Sequence, residues 1–251
     1  MIKKISILLL MLLLTAGISN AQDKKPLFHV ISLEGVITSP SAKYVAGSIE
    51  DAQKADAEGM IILLDTPGGL DTAMRDIAKS ILNAPLPVIV YVYPSGARAA
   101  SAGVIIAQAA HVAAMAPGTN IGAAHPVAIG IGGSNEMDKT MSKKVENDAA
   151  AYARSIAKTR GRSEEWVEKA VRKSESITAD EALKLNVIDV VAPDIEKLLA
   201  AIDQKEVTVA GVKRKLSTVH AVMSTKKMGT RQGILAAISN LSRQEGKQAG
   251  G

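Results

Sequence analysis

Apolar positions along the first half of the chain keep two rhythms that alternate. Phe28–Ile37 alternates and carries Val and Ile, which predicts a first strand. Val45, Ile49, Ala52 and Ala55 then recur at helical spacing. Met60–Leu64 is a compact apolar run that predicts a buried strand, and Met74, Ile77, Ala78 and Ile81 mark the next helix face. Val88–Val92 repeats the buried-strand pattern, and Val104–Ala110 predicts a helix. Strand then helix, with short connections, argues for parallel β units joined by crossovers.

Further on the rhythm shortens. Val112–Met115 and Asn120–Ala123 predict two short strands split by Pro117-Gly118. Residues 127–137 are Gly-rich and weakly patterned, which predicts a mobile loop that closes over a ligand. A helix is expected from about Ser142 to Lys158, with Val145, Ala149, Tyr152, Ala153 and Ile156 on one face, and a second from about Ser163. Glu164 and Glu165 suit the first turn of that second helix, and its Trp166 reads as packing. Thr178-Ala179-Asp180-Glu181 is a capping-box pattern opening a short helix. Val187–Val191 predicts a strand, Ile195–Ile202 the last clear helix, and Val207–Val212 a strand or hairpin.

The two ends differ from this middle. Met1–Ala21 has Lys3 and Lys4, an apolar run Ile5–Leu14, then Ser19-Asn20-Ala21, the layout of an export signal or, uncleaved, of an anchor. It implies an extracytoplasmic protein. The expected organisation is a signal over 1–21, one catalytic-size domain over 26–203, and a weakly structured basic tail over 204–251.

Composition narrows the chemistry. The chain is 47% hydrophobic but 2% aromatic, so its core is built from Ala, Val, Ile and Leu, suited to closely packed α/β layers. The net charge is +5, spread over helices and tail with no aromatic residues interleaved to stack bases, which argues against nucleic acid as a partner. There is no cysteine, which excludes disulfides and thiolate metal sites. The four His, at 29, 111, 125 and 220, form no close pair, so neither a metal nor another cofactor is expected.

One stretch carries candidate chemistry. Pro94–Gly103, PSGARAASAG, leaves a buried strand through small residues, Arg98 apart, and enters a helix. Ser101 falls at or just inside that helix N-terminus, among Ala99, Ala100, Ala102 and Gly103, with backbone N–H groups beside it and little bulk to block a substrate. The alternative is a plain helix-capping serine. Pro67-Gly68-Gly69 ends the preceding strand in a turn that exposes backbone N–H groups. The amide of Gly69 or Gly68, with that of Ala102, could hold an oxyanion while the Ser101 hydroxyl attacks a carbonyl.

DTPGG at 65–69, the Ser101 stretch, MAPGTNIGAAHPV at 115–127 and SITADEALKLNVIDVVA at 176–192, in that order, resemble the NfeD-type membrane-associated serine proteases. These are stomatin-operon partners within the ClpP/crotonase superfamily. The resemblance runs from about His29 to Ile202. It implies an α/β fold, a ClpP/crotonase-like spiral of ββα units, and hydrolysis of hydrophobic polypeptide segments by a serine–lysine dyad. It also implies a stomatin-like membrane protein as partner and assembly as a dimer or larger homo-oligomer. The family nucleophile falls on Ser101. The family lysine, in a Lys-aliphatic-x-Asn pattern, falls on Lys144-Val145-Glu146-Asn147, at an expected helix start whose dipole favours the neutral amine. Helical spacing alone leaves Lys143 and Lys144 equivalent, both well off the Val145–Ile156 face, and the pattern selects Lys144. His125 in the IGAAHPV loop is assigned to the substrate pocket or structure, with the ClpP-like role of base as the alternative. Members generally continue into transmembrane helices and a small β-barrel. Here Arg231–Leu241 resembles the approach to a first span. Two other functions fit the same fold: a crotonase-like acyl-CoA enzyme, disfavoured by Ser101 and the signal, and a non-catalytic scaffold for a membrane partner.

Overall fold

The computed structural model describes residues 25–126 and 139–226, so the predicted signal, the predicted 127–137 loop and the last part of the tail lie outside the described residues. Five predicted strands of the first half form, with small shifts at their ends: β1 (Leu27–Glu34), β2 (Gly59–Asp65), β3 (Val88–Val92), β5 (Val112–Met115) and β6 (Asn120–Gly122). Between β3 and β5 the chain adds β4 (Arg98–Ala100), which the small-residue stretch did not announce. The helices are α1 (Ser39–Lys54), α2 (Asp71–Leu82), α3 (Ala102–Ala109), α4 (Lys139–Thr159), α5 (Glu164–Arg172), α6 (Ala179–Lys184) and α7 (Ile195–Ile202). β7 (Ser176–Thr178) and β8 (Val190–Val191) precede and follow α6.

The main sheet has the order β11-β1-β2-β3-β5-β8, where β11 is Val222–Lys226, with every neighbouring pair parallel. β4, β6 and β7 form a second, smaller sheet. After each central strand the chain crosses toward this smaller layer before entering a helix. β3 leads to β4 and then α3, and β5 leads to β6 and, beyond, α4. After β1 and β2 the same step is made by single bridges, Ile37 to Gly69 and Thr66 to Ala99. This is the repeating ββα arrangement that the family resemblance implies.

Both faces of the main sheet are covered, which is why its strands read as apolar runs without polar gaps. Val88, Val90 and Val92 point with Met60, Ile62 and Leu64 into a core shared with α1–α5. Ile89, Tyr91 and Ile61 point the other way, against Leu198, Leu199 and Ile202 of α7. The successive side chains of a strand face opposite sides, so each of these strands serves two cores.

Caps follow the sequence closely. Ser163 Oγ accepts from the Trp166 N–H at 3.2 Å, and Trp166 is buried in the core as expected. Glu181 Oε2 accepts from the Thr178 N–H at 2.8 Å while Thr178 Oγ1 accepts from the Glu181 N–H at 3.4 Å, completing the box. The predicted 187–191 strand is reduced to Val190–Val191, because Val187 and Ile188 bond back to the Ala182 carbonyl at the end of α6.

The segment after 203 is more ordered than its polar sequence predicts. β9 (Glu206–Val209) and β10 (Val212–Lys215) form an antiparallel hairpin, whose Val207 and Val209 join Leu216 in packing with α7. β11 (Val222–Lys226) then pairs in parallel with β1 and closes that edge of the main sheet. The expected hairpin near 207–212 is thus joined by an edge strand at 222–226, which needs no apolar pattern when its partner supplies the hydrogen bonds. Among the described residues no helix is long and apolar enough to cross a membrane, and no cluster of His, Asp and Glu could hold a metal.

Candidate active site

Ser101 is the junction between β4 and α3. Its φ of 53° and ψ of −111° lie outside the regions an L-residue prefers, a sharp strand-to-helix turn of the kind that costs on the order of 1–3 kcal/mol and persists only where its surroundings impose it. The surroundings are visible. The Ser101 N–H donates to the Gly122 carbonyl at 3.0 Å, and the Ala100 N–H to the Thr66 carbonyl at 3.1 Å. All eight residues of α3 are buried, so the helix cannot swing to relax the turn.

The Gly68-Gly69 turn is pressed against this junction. Gly68 has φ +117°, and a Cβ there would stand 2.7 Å from Ser101 Cβ and 3.1 Å from its Oγ. A Cβ on Gly69 would stand 2.1 Å from the Ile37 carbonyl oxygen. Neither position tolerates a side chain. The Gly68 N–H donates to Thr66 Oγ1 at 3.0 Å, so its amide is committed to the turn. Of the two glycines it is Gly69 that lines the cavity beside Ser101 and Ala102. The structure thus separates what the sequence left open: Gly68 makes room for Ser101, and Gly69 faces the site. Thr66, fully buried, was missed; its hydroxyl lies 2.7 Å from the Gly35 carbonyl and holds the turn shut.

The cavity has a volume of about 570 Å³. Ser101, Ala102 and Ile105, Gly69, Leu70 and Met74, and Lys144, Val145, Ala149 and Tyr152 of α4 all line it. Ala124, Pro126 and Val171 complete a mostly apolar lining. Ser101 and Lys144, 43 positions apart by number, therefore share one cavity.

Two expectations about α4 need correction. The helix is described from Lys139, so Lys144 lies more than one turn inside it, and the dipole at a helix start is no longer an argument for its chemistry. Lys144 also does not lie off the Val145–Tyr152 face; it lines the cavity with it. Lys143 does not line it; it lines a second, more open depression with Lys139, Thr140, Asn147 and Lys144, so that of the two lysines only Lys144 reaches the cavity of Ser101. Helical position thus does distinguish the two lysines once the direction of the core is known. It misled because Val145 and Ala149 face the cavity, while core packing is made by Ala150, Ala153, Ile156 and Ala157.

His125 is half-buried, and its Nδ1 lies 3.0 Å from the Val171 carbonyl, which it meets as a donor. Its neighbours Ala124 and Pro126 line the cavity, whereas His125 does not. A further cluster escaped the sequence reading altogether. Arg75, Asp71, Asp148 and Tyr152 meet on the cavity wall, with the Arg75 guanidinium 4.3 Å from the centre of the Tyr152 ring. Burial works against the charge on Arg75, but the hydrogen bonds and charges of Asp71 and Asp148 outweigh it and hold the guanidinium more firmly protonated than usual. Asp71 and Arg75 at helical i,i+4 spacing were the readable part of this signal.

Residues 27–212 match the family described as NfeD1b, N-terminal domain. Over 175 residues, 70% of this chain, the sequence is 43% identical to the membrane-bound protease PH1510 of Pyrococcus horikoshii, and it is 38% identical over 105 residues, 42% of this chain, to the membrane protein NfeD1b of Bacillus subtilis. These alignments span 39% and 23% of those relatives, respectively. Among solved structures, the chain is similar to the 1510-N membrane-bound stomatin-specific protease, captured as a lysine-to-alanine mutant in complex with a substrate peptide. That match has 35% identity and a TM-score of 0.79, covering 86% of this chain and 99% of the other. A serine-to-alanine mutant of the same domain matches with 37% identity and a TM-score of 0.74, covering 80% of this chain and 98% of the other. ClpP1 of Listeria monocytogenes, 21% identical with a TM-score of 0.53 over 67% of this chain and 94% of its own, shares the fold. By the extent of the match over 27–212, the chain belongs to the NfeD1b N-terminal domain family.

Proposed function

We propose that this chain is a serine endopeptidase in which Ser101 is the nucleophile and Lys144 the general base. The observation that carries the reading is the single apolar cavity lined at once by a strained helix-start serine, a lysine, and the amide-bearing residues Gly69 and Ala102. The similar 1510-N domain was solved with a substrate peptide as a lysine mutant and separately as a serine mutant, the two residue types brought together here.

In this mechanism the neutral Lys144 amine takes the Ser101 proton as Oγ attacks the peptide carbonyl. The carbonyl oxygen becomes an oxyanion received by the N–H groups of Gly69 and Ala102, donors typically worth ~3–4 kcal/mol each in the transition state. The lysine ammonium then protonates the leaving amine. Water, deprotonated by the same lysine, releases the acyl group from Ser101. Lys144 is exposed in the free protein, so a bound peptide lying across the cavity is what withdraws it from water.

The apolar lining suits hydrophobic polypeptide segments, and a stomatin-like membrane protein is the natural partner by relation to a stomatin-specific protease. Export through Met1–Ala21, association with a membrane and assembly as a homo-oligomer belong to the same proposal, as does the division into a signal over 1–21, a protease domain over 26–203 and the remainder.

The test is direct. Protein spanning Gln22–Gly251 should cleave an unfolded hydrophobic polypeptide and be labelled by an active-site phosphonate, while Ser101→Ala should do neither and melt within a few degrees of the unsubstituted protein. Cleavage at an undiminished rate by Ser101→Ala would remove Ser101 as the nucleophile. Absence of both activities in the unsubstituted protein would favour a scaffold.

A further inference from the structure

Lys144 has one carboxylate within reach on its own helix face, Asp148, one turn on and lining the same cavity, whereas Glu146, two residues on, points away round the helix. Each carboxylate is already held by an arginine from a neighbouring helix. Arg172 of α5 donates to Glu146 Oε1 at 2.9 Å and to Asn147 Oδ1 at 2.8 Å. Arg75 of α2 donates through Nη2 to Asp148 Oδ2 and through Nε to Asp71 Oδ2 at 2.8 Å, its guanidinium lying over the Tyr152 ring. Lys144 itself makes no ion pair among the described residues.

We infer that Arg75 is a positioning residue for the base: it holds the Asp148 carboxylate toward α2 and so keeps it from pairing with Lys144. The inference rests on the reading of Lys144 as the base. An aspartate one turn along a helix is within reach of a lysine, and an opposite charge at such range favours the ammonium, the form that cannot accept a proton from Ser101. Arginine is suited to prevent this. It is always charged, its planar fork can serve two carboxylates at once, and its flat face stacks on an aromatic ring, which fixes where it points.

The other charges facing Lys144 do not offer the same opportunity. From α2 only Asp71 and Arg75 line the cavity, and they are paired with each other. α3 brings no charged residue. From α5, Glu168 is bound by both Arg154 and Arg172, and Lys169 is paired with Glu165. On α4 itself Lys139 and Lys143 are cations, and Glu146 is held by Arg172. Removal of Arg75 would release both Asp71 and Asp148 on the cavity wall, and of the two it is Asp148 that stands one turn from Lys144 on the same helix.

The experiment compares pH profiles of kcat/KM for the unsubstituted protein, Arg75→Met, and Arg75→Met combined with Asp148→Asn, after thermal melts show each to be folded. Arg75→Met should lower kcat/KM about tenfold near pH 7.5 and progressively less toward alkaline pH, because a base whose ammonium form is favoured by one pH unit is tenfold scarcer. Adding Asp148→Asn should return the ascending limb most of the way. A loss that is equal at every pH, or a double variant no better than Arg75→Met, overturns the inference and leaves Arg75 a packing residue. A second readout does not need activity. In a Ser101→Ala background, the NMR titration of the Lys144 side-chain amine should move to more alkaline pH on Arg75→Met, and an unmoved titration overturns the inference. If Lys144→Ala retained full activity the assignment of the base would fall, while this titration would still decide whether Arg75 holds Asp148 away.

Discussion

α3 and α4 carry the two halves of the proposed dyad and are held in opposite ways. Every residue of α3 is buried, its Gln108 amide donates to the Val187 carbonyl at 2.9 Å, and the buried Arg162 donates to the Gln108 carbonyl at 2.8 Å. In α4 no residue from Lys139 to Ala149 is fully buried; Ala149 packs half-buried against the core, and burial begins at Ala150. That projecting half is tied by Arg75 to the exposed Asp148 and by Arg172 to the partly exposed Glu146. Exposed pairs typically contribute ~0–1 kcal/mol, whereas burying one Val or Ile side chain contributes ~1.5–3 kcal/mol. The serine is therefore placed by packing, and the lysine by charge. A site built this way keeps its nucleophile fixed while its α4 side can yield as a peptide enters.

The largest effect expected from breaking this arrangement is at the charged side. Lys144→Ala should lower kcat/KM by about 10²–10⁴-fold, the range for loss of a positioned base. Lys143→Ala, on the outer face, should keep most of the activity, and His125→Ala should fall between, by disturbing the Ala124–Pro126 wall. Steady-state rates on one peptide substrate suffice. An inactive His125→Ala beside an active Lys144→Ala would mean a histidine base and a different geometry in the bound state.

At the packed side, Gly68→Ala probes the same comparison through sterics. Its Cβ would meet Ser101 Cβ at 2.7 Å with the backbone at φ +117°, so either the turn or Ser101 must move. A destabilisation of about 2–4 kcal/mol is expected from strain and overpacking. Activity should fall on the order of 10²-fold, as a small displacement of a reacting group can cause. Urea unfolding and rates measured together test it; normal activity in a normally stable Gly68→Ala protein would show that this contact does not hold the serine.

The packed half was legible in the sequence and the charged half was not, for a physical reason. Buried strands and helices must be apolar at fixed periods, so Val88–Val92, Val112–Met115 and Ile195–Ile202 could be read to the residue. Ser101 stood out because the chain around it is nearly free of bulk. β4 and β11 were invisible because their residues carry no such pattern: Arg98–Ala100 and Val222–Lys226 are strands only by virtue of the partners they bond to. Which way Lys144 faces depended on where α4 meets the core, and its long Val145–Tyr152 stripe pointed to a cavity instead. The meeting of Arg75 with Asp148 joins residues 73 apart, and nothing local to either announces it. Thr66 shows the same limit on a smaller scale, since its role is defined by carbonyls at Gly35 and Gly68 that only the folded turn brings to it.

The smallest effect expected concerns acid, and it separates the two halves by pH. His111, just beyond α3, is buried; its Nδ1 accepts from the Val88 N–H at 3.1 Å, and the Arg160 guanidinium stands 3.4 Å from its Nε2. Burial, reinforced by the charges of Arg160 and Arg162, pushes its pKa down to about 3. An unfolded histidine takes up a proton near pH 6.5, but the folded one resists until far lower pH. The unfolded state thus binds more protons across this interval, and folding stability must fall as pH drops from about 6.5 toward about 3. By pH 5 the loss amounts to about 2 kcal/mol. Asp189, which Arg162 and the Ala113 N–H hold below the usual carboxylate range despite burial, adds its own loss only at lower pH. The ion pairs that tie α4 involve no histidine, so the charged half should be indifferent to the protonation of His111. Urea unfolding at pH 7.5 and pH 5 should therefore show a drop in the unsubstituted protein that His111→Gln, which can still accept from Val88, largely removes. Hydrogen exchange at pH 5 locates the effect: α3 should lose protection together with global stability, while the Lys139–Ala149 half of α4 exchanges as it does at neutral pH after correction for intrinsic rates. If that half instead opened first on acidification, its charge ties would be the weaker element against acid, and placement by packing would be the more robust of the two.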